Sequence, residues 1–374
     1  MTTTYSDNFK MYAANGVGKA IEWDGTNLVE IATGSRSDKP TRVDAHRYHL
    51  FLAYEGGSLQ HSSYGDPYEW DVLTGAGEIN VGEEITDLLA SVSGALTVFA
   101  RNRVAVLFGD DATNWQLKTL SGSAGAIPWT SQMIGQPIYL DSRGLRDLSS
   151  TDQFGDFNIG TITRQIEPLF RDKLNSGITA VASMRVREKD QYRLFFSDGT
   201  GISVYFGRAK AEAMVFDLGF EVTSACSGKD TSGNEILYVG STDGFVYQLD
   251  VGTTFDGDDY TSTITLPFNN VGSPTYRKRW YKAEFEVSGD TDTVMTVSAN
   301  YTYSDPRQPA ETSQDVSSFN VGGYDNILGW EGLNEVYLDG LGRTLSLTIA
   351  STGSENYHII HSATIYYSDR GQAR

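Results

Sequence analysis

The feature that most limits this chain is a motif repeated along most of its length: a short apolar run, a glycine-bearing turn pair, and a second short apolar run. Ala20-Ile-Glu-Trp-Asp24-Gly25-Thr-Asn-Leu-Val-Glu-Ile31 is one case; Tyr192 to Tyr205 around Asp198-Gly199 and Ile236 to Leu249 around Asp243-Gly244 are two more. Asp-Gly supplies the positive φ angles of a tight hairpin, and the β-branched and aromatic flanks supply strands to join. Two further hairpins are read at Gly56-Gly57, inside Tyr48 to Ser62, and at Ser93-Gly94, inside Leu88 to Phe99. Several are followed by another apolar strand, as Val215-Phe-Asp-Leu follows Val204-Tyr-Phe. A sheet this small cannot bury both faces by itself, so several must pack together, and about 40–50 residues per unit is the usual spacing of propeller blades. The chain is therefore expected to be all-β, a β-propeller of about five or six blades followed by a C-terminal β-sandwich. A pair of packed β-sandwiches is the alternative for the first part.

Helical spacing is confined to Ile162 to Leu174, where a short helix, bent or ended near Pro168, is predicted to cap the gap between two blades. Near Val251-Gly-Thr-Thr-Phe-Asp-Gly-Asp-Asp259 the texture changes to longer alternating strands, which continue to the C-terminus. This places the domain break within 252–260 and predicts a propeller-like domain over 1–255 and a sandwich over 256–374.

Charge narrows the choice of partner. There are 48 Asp and Glu residues against 29 Lys and Arg, a formal net charge of −19, which argues against a surface that coats DNA by neutralising phosphates. A duplex passing through an acidic channel stays compatible with that balance. The single cysteine, Cys226, excludes an intramolecular disulfide and a multi-cysteine metal site and reads as a small buried apolar residue. The N-terminal residues have no basic segment leading into an apolar one, and no run approaches about 18 apolar residues, so a cytosol-made chain without membrane insertion is expected.

Signatures of catalysis are weak. His46 and His49, and His358 and His361, are each three apart on predicted strands, so each pair is expected on opposite faces; with Gly56-Gly57 as a loop, His61 lies opposite Leu52. Asp256-Gly-Asp258-Asp259 would place Thr261 where a calcium loop needs glycine, and reads as a solvated linker. Neither Ser121-Gly-Ser-Ala-Gly125 nor the glycine pair after Val321 leads into a phosphate-binding helix. No enzyme activity, metal or cofactor is expected.

The one basic concentration is Tyr276-Arg277-Lys278-Arg279-Trp280-Tyr281-Lys282. On a strand Arg277, Arg279 and Tyr281 share one face, and Lys278, Trp280 and Lys282 the other. Two readings stand: a solvated or edge strand, or a contact with an acidic neighbouring subunit or passing DNA phosphate. Arg143 and Arg146, near a turn in Ser142-Arg-Gly-Leu-Arg146, are further candidates to pair with acids of an adjacent protomer or blade. Trp70 and Trp129 read as packing residues.

Five segments in order, Lys19-Ala-Ile-Glu-Trp-Asp-Gly, Val43-Asp-Ala-His-Arg-Tyr-His-Leu-Phe-Leu, Gly57 to Trp70, Trp129-Thr-Ser-Gln-Met-Ile-Gly and Tyr139-Leu-Asp-Ser-Arg-Gly144, make residues 15–285 resemble bacteriophage tail proteins of the nozzle or hub type. The Tyr276-Arg-Lys-Arg-Trp strip belongs to the same resemblance, and the C-terminal part is similar more loosely. The resemblance implies a propeller-containing virion subunit that forms a ring with copies of itself, commonly a hexamer, below the portal and adaptor. Such a ring would contact other tail proteins, continue the channel for double-stranded DNA, retain the packaged genome and open at ejection. Better-known members are often longer than this chain.

Overall fold

Strand starts recur with a regular period. The first strands of six successive antiparallel sheets are Thr2–Thr4, Arg42–His46, Ile85–Ala90, Gln132–Ile134, Ala180–Val186 and Val222–Lys229, so a new sheet begins every 40 to 48 residues. Each sheet is a meander of three or four strands paired in chain order, and the first strands of successive sheets pack on one another for most of the series. This is β-propeller construction. The computed structural model describes residues 2–4, 10–91, 94–149, 161–207, 211–289, 293–301, 314–321, 332–353 and 358–372. The chain divides into two compact units, Met1–Asp250 and Val251–Arg374.

Burial explains why the sheets come in series. In the second sheet, strand His49–Tyr54 is buried at every position. Leu50, Leu52 and Tyr54 join Tyr12, Ala20 and Ile31 of the first sheet in one core cluster, while Phe51 and Ala53 point the other way into a cluster with Leu88, Leu96 and Val98 of the third. The same alternation carries Phe99 of the third sheet against Tyr139 of the fourth, Leu140 of the fourth against Leu194 of the fifth, and Phe195 of the fifth against Val239 of the sixth. Every one of these clusters lies between two consecutive sheets.

The hairpins follow their turn residues, and Ser93 of the Ser93-Gly94 pair lies outside the described residues. Gly57 is held against backbone: its φ is +85° and a Cβ there would lie 2.3 Å from the carbonyl oxygen of Glu83. Its neighbour Gly56, φ +78°, has open space around the same point. The predicted helical segment forms a 3-10 turn, Arg164–Ile166, and an α-helix, Glu167–Asn175. Pro168 opens this helix rather than ending it, because a first-turn residue needs no N–H donor and proline's φ already suits a helix. Phe170 of the helix is buried in the cluster shared by the fourth and fifth sheets.

Among the described residues the second unit is a sandwich of seven strands. Tyr260–Thr265, Ser346–Gly353, Thr293–Asn300 and Gln314–Val321 form one sheet in that order; Gly332–Gly342, Tyr276–Gly289 and His358–Gln372 form the other. Trp280, Phe285 and Val336 of the three-stranded sheet meet Met295, Val297 and Ile349 of the four-stranded one in a single core.

Two expectations change here. Tyr276–Gly289, which carries the basic run, is the central strand of its sheet, paired on both sides and not an edge. Cys226 is exposed, not buried. A bulge between Val222 and Ser224 shifts the pleat by one residue, so Val222 and Ala225 face the core and Cys226 faces away.

The two adjacent glycines generate a paired test. Gly57→Ala combines the left-handed φ, worth about 1–2 kcal/mol for an L-residue, with a backbone clash and should lower unfolding stability by more than about 2 kcal/mol. Gly56→Ala should cost only about 1 kcal/mol. Chemical denaturation of both variants checks the order.

Candidate functional site

Polar side chains collect on the first strands of the sheets, on the segments leading into them and at the starts of two second strands. Arg42, opening the second sheet, donates from Nε to the Thr86 carbonyl of the third at 2.6 Å and from Nη1 to Thr41 O at 2.8 Å. Its guanidinium stacks 3.7 Å from the ring centroid of Trp129 and stands 4.0 Å from Asp87. Asp87 accepts a short hydrogen bond from the Ser131 hydroxyl, which ties the third sheet to the fourth. Burial pushes the Asp87 carboxyl above its ordinary pKa, against the pull of Ser131 and Arg42. From the fifth sheet, the Ser183 hydroxyl donates to Trp129 O at 2.9 Å and the Tyr192 hydroxyl to Thr130 O at 2.7 Å. The fifth and sixth sheets are joined where Glu235 accepts the backbone N–H groups of Arg187 and Glu188, each at 3.0 Å. Apart from the Arg42 bond to Thr41, each of these bonds bridges two sheets, so the row acts as a chain of latches.

Trp129 packs on a charged neighbour outside the apolar core clusters. It has φ +68°, is 41% exposed and offers its ring face to Arg42, an arrangement in which a guanidinium gains from the ring quadrupole. Trp70 packs partly buried against the cluster of the first two sheets and donates from Nε1 to Pro67 O at 3.0 Å.

Where the first strands of the third, fourth and fifth sheets end, a pocket of about 400 Å³ opens, lined among others by Ser91, Met133, Ile134, Arg185, Arg187 and Gln191. Nothing in the sequence patterning singled out these arginines. They lie in an unremarkable strand end, and only the packing of three sheets brings a cavity to them.

The histidines are arranged differently from expectation. Arg47 and Tyr48, with φ of 49° and 60°, form a two-residue hairpin turn between His46 and His49, so these two are cross-strand partners on the same face. His61 pairs with Phe51, one residue from the expected Leu52. All three histidines are buried, with the His49 and His61 rings 5.2 Å apart and Trp115 packed 5.5–5.9 Å from each of the three. Nδ1 of His49 and Nδ1 of His61 both lie at the Ser62 carbonyl, at 2.6 and 3.1 Å. The Nε2 atoms of His46 and His49 have no hydrogen-bond partner among the described residues. Burial, aided by Arg47 and His49, holds the His46 pKa down to about 4; burial also lowers that of His61. Among the described residues no group of three or more His, Cys, Asp or Glu is placed to hold a metal ion. Asp256 and Gly257, with φ of 53° and 93°, form an exposed turn closed by a Phe255–Asp258 bridge.

The six basic candidates separate by burial. Lys278 is fully buried and donates to Ser273 O at 2.7 Å, so it is not available to a subunit or to DNA. Arg146 is also fully buried and ion-paired with Asp141 of its own hairpin, which removes it as an intermolecular contact. Arg143 is half-buried and Arg277 exposed. Arg279 is exposed and pairs with Asp339 at 3.2 Å. Lys282 does not share the face of Lys278 and Trp280: a bulge between Trp280 and Lys282 passes the core-facing positions to Ala283, Phe285 and Val287. It sits on the outer face between Glu284 and Glu335, the latter at 2.9 Å, and these carboxylates raise its pKa above the ordinary lysine value.

No protein-family model matches the chain, and no curated protein matches its sequence. Solved structures overlap it loosely. The structure of BBS1N in complex with ARL6DN gives 11% identity over 65% of this chain and 73% of that one, TM-score 0.40. A chain of the mitotic checkpoint complex gives 11% over 67% and 75%, TM-score 0.44. The C-terminal WD40 domain of Sif2 gives 13% over 66% and 68%, TM-score 0.36.

Two measurements probe this region. Asp87→Ala leaves the Arg42 charge buried without its carboxylate and should cost about 3 kcal/mol or more; Asp87→Asn, which still accepts from Ser131, should cost less. For His46, the unfolded side chain takes up its proton near pH 6.5 and the folded one only near 4. Its contribution to stability is therefore complete above about pH 6.5 and is lost, by about 3 kcal/mol, as pH falls toward 4. Denaturation midpoints across that window should show the slope, and His46→Phe should remove most of it.

Proposed function

We propose that this chain is a non-catalytic structural subunit of a bacteriophage tail, of the nozzle or hub type, that assembles with copies of itself into a ring continuing the DNA channel. The ring, taken as a hexamer, would meet the portal or adaptor and other tail proteins, retain packaged double-stranded DNA and open for ejection. The observation that carries this reading is where the family-like segments fall. Lys19 to Gly25 ends in the first sheet's last hairpin; Val43 to Leu52 holds the buried histidine pair; and Trp129 to Gly135 holds the latch between the third, fourth and fifth sheets. The resemblance thus covers residues that stiffen a row of small sheets, which is the property a ring holding DNA under pressure needs. The negative balance of −19 suits a conduit, because a surface with few cations displaces few counterions and lets a duplex slide.

A second reading, a receptor- or glycan-binding tail-tip protein, is favoured by one feature. On the outer face of the three-stranded sheet, Tyr337 and Tyr366 flank Lys282 in one cross-strand row and are 71% and 41% exposed. Aromatic rings beside polar groups are the usual platform for a sugar face.

Imaging of intact virions separates these. Copies of the chain arranged as a ring around the DNA path are expected. A monomer in the particle, or a particle that lacks the chain yet keeps its genome, overturns the nozzle reading. Saturable binding on a glycan array, lost in Tyr337→Ala, would move the assignment to the second reading.

A further inference from the structure

The pocket at the ends of the first strands of the third, fourth and fifth sheets has two kinds of wall. Met133 and Ile134 give it an apolar flank, and Arg185, Arg187 and Gln191 bring hydrogen-bond donors to it. Arg185 donates from Nη1 to Met133 O at 3.0 Å. A guanidinium has five N–H donors in a planar fork, so this leaves most of them available. Arg187, two residues on, is exposed. Among the described residues neither guanidinium is ion-paired, on a chain where acidic residues outnumber basic ones 48 to 29. The Glu235 carboxylate, whose charge acts on Arg185, accepts the backbone N–H groups of Arg187 and Glu188 and forms no ion pair with either guanidinium. Burial and the adjacent Arg187 charge hold the Arg185 pKa below its ordinary value, against the pull of Glu235.

We propose that this pocket receives the carboxylate side chain of an acidic segment of a partner protein, a glutamate or aspartate flanked by apolar residues. The two oxygens of a carboxylate match the guanidinium fork, and such charge-assisted pairs are the strong class of hydrogen bond. Met133 and Ile134 supply a surface for the flanking apolar side chain, which a bare anion cannot use. Asp190, also at the pocket, opposes a densely charged polyanion more than a single carboxylate. The site does not depend on the tail assignment; it rests on the cavity and the two arginines.

Titration calorimetry on the full chain at low salt tests it, with a blocked Leu-Glu-Leu tripeptide as probe and the Leu-Gln-Leu peptide, sodium glutarate, inorganic phosphate and a short DNA duplex as comparisons. The glutamate peptide should bind and the glutamine peptide should bind at least about tenfold more weakly. Arg187→Gln, on the surface and clear of the core, should weaken the glutamate peptide by about tenfold or more. Arg185→Lys, which keeps the charge but loses the fork, should weaken it less than Arg185→Gln. Equal binding of the two peptides, or unchanged binding in Arg187→Gln, overturns the proposal. Glutarate binding as tightly as the peptide would assign the pocket to a free small carboxylate instead. Arg187-dependent binding of phosphate or of the duplex without binding of the peptide would assign it to phosphate.

Discussion

Everything in the first unit follows from the inability of a three- or four-stranded sheet to bury its own two faces. A strand such as His49–Tyr54 sends alternate side chains to opposite sides, and all of them are buried only because another sheet lies on each side. Fully burying a Leu or Phe side chain is worth about 1.5–3 kcal/mol, and each inter-sheet cluster gathers several. The sheets therefore depend on one another in series. That is also why the second strands read as continuous apolar runs while the outer ones are mixed: Gln116–Ser121 is mostly exposed where Leu96–Ala100 is wholly buried.

Apolar packing alone would let neighbouring sheets slide. The polar bonds between neighbouring sheets are directional, and each demands one register between two sheets: Arg42 to Thr86, Ser131 to Asp87, Ser183 to Trp129, Glu235 to the Arg187 and Glu188 amides. A typical intramolecular hydrogen bond contributes only about 1 kcal/mol net, but leaving a buried partner unmade costs about 1–3 kcal/mol. The row thus selects one arrangement more than it adds stability. It also sets where chemistry is accessible, since the pocket with Arg185 and Arg187 opens where these same strands end.

Much of the candidate site was hidden in the sequence for one recurring reason: side-chain direction on a strand has period two, so a single unpredicted turn or bulge reverses it. His46 and His49 look like residues of one strand until Arg47-Tyr48 proves to be a turn, which places them side by side. Lys282 looks like a companion of Lys278 until the bulge after Trp280 moves it to the opposite face, and Cys226 is turned outward in the same way. Lys278 and Arg146 look like surface charge because their partners, though only five residues away at Ser273 and Asp141, become acceptors only once the chain turns back and the site is buried. The Arg185 and Arg187 pocket had no sequence signal, because its walls come from residues about 40 to 100 positions apart.

The sequence by itself determined what depends on neighbouring residues. Turn dipeptides and apolar alternation define the hairpins, their spacing of some 40–50 residues defines small sheets in series, and the change of texture near residue 251 marks a second unit of longer strands. Only the tertiary structure decided which polar groups are buried, which charges are already paired and where a cavity forms. These depend on the exact register between sheets, and register is set by many weak, non-local contacts at once, none of which is written in any one segment of the chain.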